Sequence, residues 1–130
     1  MTARQLHRAC IALRGSVEEH PFGPETAVFK VAGKIFAISR LQARPLQVSL
    51  KCEPALAEQL RAAHAAIAPG YHLNKRHWNT VTLDGSLAAD LVQAMIEDSY
   101  DLVVSALPRA RRKELDWSGR SPSGELPRPR

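Results

Sequence analysis

With 130 residues, the chain is long enough for one hydrophobic core and too short for two. Apolar residues at 45% argue against a wholly disordered chain, and no run approaches the roughly 20 apolar residues needed to span a bilayer. The net charge of +5 is uneven: residues 1–107 hold eleven Lys or Arg against ten Asp or Glu, and residues 108–130 hold seven against three. The basic character thus belongs mostly to the tail and says little about a folded domain's partner.

The first segment reads as a helix. Thr2 and Gln5 have the spacing of a capping box, Leu6, Ala9, Cys10 and Leu13 share one face, and Gly15 stands where a C-terminal cap is expected. The turn-rich His20-Pro21-Phe22-Gly23-Pro24 follows. Residues 26–31 and 34–40 are strand-like and joined by Ala32-Gly33, a candidate hairpin turn. In 46–51 the alternation is clean: Leu46, Val48 and Leu50 point one way, Gln47, Ser49 and Lys51 the other. Pro54 suits the first turn of a second helix, with a stripe of Leu56, Leu60, Ala63 and Ile67 that ends at Pro69-Gly70.

A strand is expected over 77–83, with Asn79, Val81 and Leu83 on one face and Trp78, Thr80 and Thr82 on the other. Asp84-Gly85 is a turn, and Ser86 is the expected N-cap of the longest helix, 87–107. The polar stripe of that helix is narrow (Asp90, Gln93, Glu97, Asp101), so it should pack broadly against the domain. Pro108 closes it. Residues 1–113 are read as one domain and 114–130 as a basic, disordered tail. The order of elements predicts an α+β fold, an antiparallel sheet covered by helices on one face and open on the other.

The chemistry of an enzyme is not legible. There is no G-x-S-x-G, P-loop, G-x-G-x-x-G or H-E-x-x-H. His72 and His77 lack a third metal ligand nearby in sequence, and His7, His20 and His64 read as surface or turn residues. Cys10 and Cys52 sit among apolar neighbours and are expected to be buried free thiols. No catalytic residue, cofactor or metal is expected. The absence of an apolar leader at the start makes the cytoplasm the expected compartment.

The densest chemistry lies in residues 69–81, which hold Lys75, Arg76, two histidines, two asparagines, Tyr71 and Trp78. Lys and Arg can neutralise phosphates, and Trp or Tyr can stack on bases. A core-covering role for the aromatics, with Lys75-Arg76 as a solvated turn, fits the same residues. The outward sheet face should add Gln47, Ser49, Lys51, Thr80, Thr82 and, if Phe29 and Val31 point inward, Lys30.

The segments HPFGPETAVFKVAGKIFAI, VSLKCEP and PGYHLNKRHWNTVTLDGS, followed by DSYDLVV, closely resemble the MmcQ/YjbR family over about residues 3–110. The resemblance implies a fold similar to that of CyaY, the bacterial frataxin, and a DNA-binding role of the kind with which the family is labelled. Iron handling is not carried over, because residues 1–14 contain Arg4, His7, Arg8 and Arg14 with no carboxylate. The leading expectation is a small non-enzymatic DNA-binding protein. Lys51, Lys75 and Arg76 would meet the backbone of double-stranded DNA, with His77 and Trp78 near the groove. The second expectation is a protein-interaction or small-molecule-binding module using the same face, and neither involves a membrane.

Overall fold

The structure, a computed structural model, describes residues 1–70 and 73–115. Within them the chain runs α1 (Ala3–Ile11), β1 (Ser16–Glu19), β2 (Ala27–Val31), β3 (Lys34–Ser39), β4 (Gln47–Lys51), α2 (Pro54–Ala63), β5 (Ile67–Pro69), β6 (Trp78–Thr82), α3 (Ala89–Ser105) and α4 (Arg109–Glu114). The strands form one antiparallel sheet in the order β1-β2-β3-β4-β6-β5. This is the α+β architecture expected. No helix among the described residues is long and apolar enough to cross a membrane.

The alternation read in the sequence sets the two faces of the sheet. Val48 pairs with Val81 and Leu50 with Asn79, and all four side chains are buried on the helix side. Lys51 pairs with Trp78, Ser49 with Thr80 and Gln47 with Thr82 on the opposite side. Helix α3 crosses the middle strands and supplies Val92, Ile96, Val103 and Val104 to the core. Its polar stripe behaves as expected: Gln93 Nε2 donates to Glu97 Oε2, four residues on, at 2.9 Å, and both residues are half-buried.

A bulge in β3 adjusts this pattern. Phe29 pairs with Ala37 but Lys30 pairs with Ile35, which leaves Phe36 as the extra residue. Phe36 turns into the core with no exposure and meets the Tyr100 ring edge-to-face at 5.5 Å. The carbonyl released from the ladder is not orphaned. Ser99 Oγ donates to it at 2.6 Å and accepts from the Lys51 amide at 2.8 Å, tying α3 to β3 and β4.

Helix α1 starts on the expected capping box: Thr2 Oγ1 accepts from the Gln5 amide at 3.1 Å, and Gln5 Oε1 accepts from the Thr2 amide at 2.8 Å. It ends earlier than Gly15, with Ala12 as C-cap, and Gly15 instead turns the chain into β1 at φ +75°. Tyr100 Oη donates to the Arg14 carbonyl at 2.6 Å and fixes that turn. The Ala32-Gly33 hairpin has positive φ at both positions, 50° and 79°, as a type I′ turn requires.

Further assignments differ from the sequence reading. Strand β1 was not expected, because Ser16-Val17-Glu18-Glu19 has a single apolar residue and is an edge strand with little to bury. Helix α2 stops at Ala63, and Ile67 and Pro69 belong to β5 rather than to a helical stripe. Ile67 is buried by pairing with Val81 across the sheet, a long-range contact that helical spacing cannot signal. Helix α3 begins at Ala89 with Ala88 as an N-cap lacking a side-chain bond. Ser86 is held earlier, in a turn where Asp84 Oδ1 accepts from its amide at 3.0 Å.

Finally, α4 follows Pro108, and Leu115 behind it packs against the core. Arg112 Nη1 donates to the carbonyls of Ser105 and Leu107 at 3.3 and 2.9 Å and caps the end of α3. Residues 116–130, most of the expected tail, lie outside the described residues. Cys10 and Cys52 are both buried and neither forms a disulfide, as expected. Burial pushes the Cys10 thiol up to about 12.

Candidate nucleic-acid interface

The site is built on the open side of β4 and β6. Register puts Lys51 beside Trp78 as a cross-strand pair, and both are half-buried. The loop that leads into β6 is pinned rather than free. Arg61 Nη1 donates to the Lys75 carbonyl at 2.9 Å and to Asn79 Oδ1 at 3.1 Å. Asn74 Oδ1 accepts from the Arg76 amide at 2.9 Å, and the Asn74 carbonyl accepts from the His77 amide at 3.2 Å. The Cys52 amide donates to the His77 carbonyl at 2.7 Å, extending the ladder beyond β4.

These bonds use backbone groups and leave the Lys75 and Arg76 side chains exposed. Among the described residues no carboxylate pairs with Lys51, Lys75 or Arg76. All five expected site residues (Lys51, Lys75, Arg76, His77 and Trp78) therefore gather at one end of the β4–β6 ladder. His77 is half-buried, like Lys51 and Trp78, and is bonded through its backbone on both sides. Tyr71 and His72 lie outside the described residues.

Lys30 does not join them. Its Nζ is 2.8 Å from Glu19 Oε1, and β3 separates it from β4. On β3 the open side carries Ile35, paired with Lys30, and Ile38, paired with Val28 and Ser49. The open face is thus polar over β4 and β6, and over β2 and β3 it carries the apolar Val28, Ile35 and Ile38 together with the ion-paired Lys30.

Sequence reasoning missed what lies between these halves. A groove of about 650 Å³ runs over the open face, with Ile38, Ser49 and Thr80 along it and the loop residues Phe22 and Leu73 contributing to its walls. Ser49 Oγ and Thr80 Oγ1 are hydrogen-bonded at 3.1 Å. Arg40 and Arg44, from the loop between β3 and β4, line it as well, and no acidic side chain is among its described lining residues. Phe22 is 68% exposed, a large value for an aromatic ring. Its position in a Pro-Phe-Gly turn was the available signal, since such a turn has no core to serve.

A second cluster lies on the helix side at the β1 edge. His7 Nε2 is 2.7 Å from Glu18 Oε1 and His20 Nε2 is 2.9 Å from Glu18 Oε2. The His7 hydrogen bond holds the Glu18 carboxyl below its usual range; partial burial opposes this, and the His20 bond adds to it. His7 also stands edge-on to Phe29 at 5.7 Å, so the cluster fastens α1 to the sheet. No three His, Cys, Asp or Glu side chains among the described residues are arranged to hold a metal ion.

The comparisons with known proteins agree with this architecture. The Escherichia coli K12 protein YjbR is 39% identical over 116 residues, covering 88% of this chain and 98% of that protein. The YbdF protein of Escherichia coli O157:H7 is 38% identical over 96 residues, 73% of this chain and 78% of that protein. The crystal structure of a Deinococcus radiodurans protein with the DUF419 domain superposes with a TM-score of 0.86 at 42% identity, covering 96% of this chain and 95% of the other. A Pseudomonas syringae crystal structure gives a TM-score of 0.69 at 31% identity, over 78% of this chain and 98% of the other. The YjbR family model matches residues 11–102. A match of that extent, joined to a 39% identical relative covered over 98% of its length, makes this chain a member of the YjbR family.

Proposed function

We propose that the chain is a non-enzymatic DNA-binding protein that works through the open face of β4 and β6 and the loop before β6. The observation that carries this reading is the cross-strand pair of Lys51 and Trp78 on an unpartnered sheet face, with exposed Lys75 and Arg76 beside it. The cations would neutralise phosphates, and Trp78 would supply a stacking or wedging surface. His77 would act mainly by holding the loop. The reading includes a CyaY-like arrangement of helices against one sheet face, without iron chemistry, and a cytoplasmic setting in which DNA is accessible.

Salt dependence tests the proposal. Each phosphate neutralised adds about 0.9 to the magnitude of the slope of log K against log salt on duplex DNA. In the full chain, replacing Lys75 and Arg76 by Ala should weaken binding and flatten the slope by up to about two units on that rule. Replacing Arg120, Arg128 and Arg130 by Ala should flatten it further but leave binding measurable. If the tail substitutions abolish binding while those at 75 and 76 change nothing, affinity resides in the tail and the proposal fails.

The second reading, a protein-interaction or small-molecule-binding module, is favoured by the groove itself, whose apolar wall at Phe22 and Leu73 exceeds what phosphate contact requires.

A further inference from the structure

Resting on that DNA-binding reading, the geometry points to single-stranded nucleic acid as the preferred ligand, with unpaired bases lodged in the groove between Phe22 and Leu73. Three observations converge on this, and the first is shape. A groove of about 650 Å³ accommodates a splayed base and its sugar, whereas a duplex keeps its bases stacked inside and presents phosphates to the outside. Sheet faces that read single strands do so by accepting unstacked bases on aromatic side chains.

The second observation is the placement of charge. Arg40 follows the end of β3 and Arg44 precedes the start of β4, while Lys51 closes β4. The two cationic ends are therefore separated by the length of a five-residue strand, about 14 Å at the usual rise. A backbone running along β4 would meet Lys51, Lys75 and Arg76 at one end and Arg44 with Arg40 at the other. Arg40 is held only loosely, 3.8 Å from Glu25 on an exposed surface. Between the ends no carboxylate is among the described groove residues.

The third observation is the character of the surface between those ends. Phe22 offers an exposed ring, Ile38 and Leu73 offer apolar contact, and the half-buried Ser49 hydroxyl and exposed Gln47 amide offer hydrogen-bonding groups to base edges. That mixture suits heterocycles with a π-face and a polar rim. Stacking of this kind tolerates any base, so the preference is for strand state rather than for sequence.

The test uses the full chain and two probes, a fluorescently labelled ten-nucleotide oligothymidine and a duplex of the same length, titrated at low salt by anisotropy. The expected result is tighter binding of the single strand. Phe22→Ala should weaken it by roughly tenfold, the lower-middle of the usual stacking range, and Phe22→Trp should retain it. Arg44→Ala should weaken the single strand and reduce its salt slope. Because Phe22 is exposed, an unchanged thermal midpoint in Phe22→Ala shows that any loss is not unfolding. Equal or tighter duplex binding, indifferent to Phe22→Ala, would overturn the single-strand assignment and leave the DNA-binding reading standing. Failure to bind either probe would overturn both.

Discussion

Gly70 and Trp78 are packed backbone to side chain across the turn into β6: a Cβ on Gly70 would stand 2.7 Å from Trp78 Cβ, and the Gly70 amide donates to the Trp78 carbonyl at 2.8 Å. Glycine is needed here for close approach. The atoms it would meet are Trp78 backbone atoms and the first side-chain carbon, none of which is the movable end of a flexible group. Gly70→Ala should therefore push β5 from β6 and displace Trp78. A loss of about 1–3 kcal/mol is expected from such overpacking, read by urea denaturation, together with a shift in tryptophan emission. An unchanged melt and spectrum would show that the turn adapts.

Ser99 offers a second test, of how the bulge in β3 is tolerated. Its hydroxyl serves the Phe36 carbonyl and the Lys51 amide simultaneously, and it is fully buried. Ser99→Ala leaves both backbone groups without this partner, at a cost of about 1–3 kcal/mol. Hydrogen exchange should show faster exchange at the Lys51 amide than at amides inside the β2–β3 pairing. Equal protection in both proteins would mean that another group replaces the hydroxyl.

Leu50 tests the assignment of the sheet faces. It is 2% exposed, beside Asn79 and Ala37 on the helix side. Leu50→Ala should cost about 2–5 kcal/mol, the range for a buried leucine. An unaltered thermal midpoint would contradict the burial of that face.

The cluster at Glu18 carries a pH signature. Its carboxyl is lowered in the folded state, by the His7 hydrogen bond first. A depressed carboxyl contributes stability that is present above the unfolded value, about 4.3 for glutamate, and that disappears as pH falls through the folded value. Glu18→Gln should thus be less stable than the parent at pH 7, by about 1 kcal/mol for the hydrogen bonds lost. The two curves should converge in the acid limb. Parallel curves down to pH 3 would show that the pair does not couple to folding.

Patterns of short range were legible in the sequence. The Thr2–Gln5 capping box, the hairpin turn at Ala32-Gly33, the two-residue alternation of β4 and β6 and the polar stripe of α3 depend on neighbours within a few positions, and all are present. So is the grouping of Lys75, Arg76, His77 and Trp78, which adjacency guarantees; only the alternation was needed to put Lys51 on the same face. What the sequence could not reveal depends on contacts between distant segments. Val81 draws Ile67 into β5, the bulge turns Phe36 inward, and Phe22, Arg44 and Leu73 from separate loops line one groove with Ile38 and Thr80. Each of these is decided by which surfaces remain uncovered once the sheet has closed on its helices. Local propensity carries no record of that, because the burial free energy is shared among residues that are neighbours only after folding.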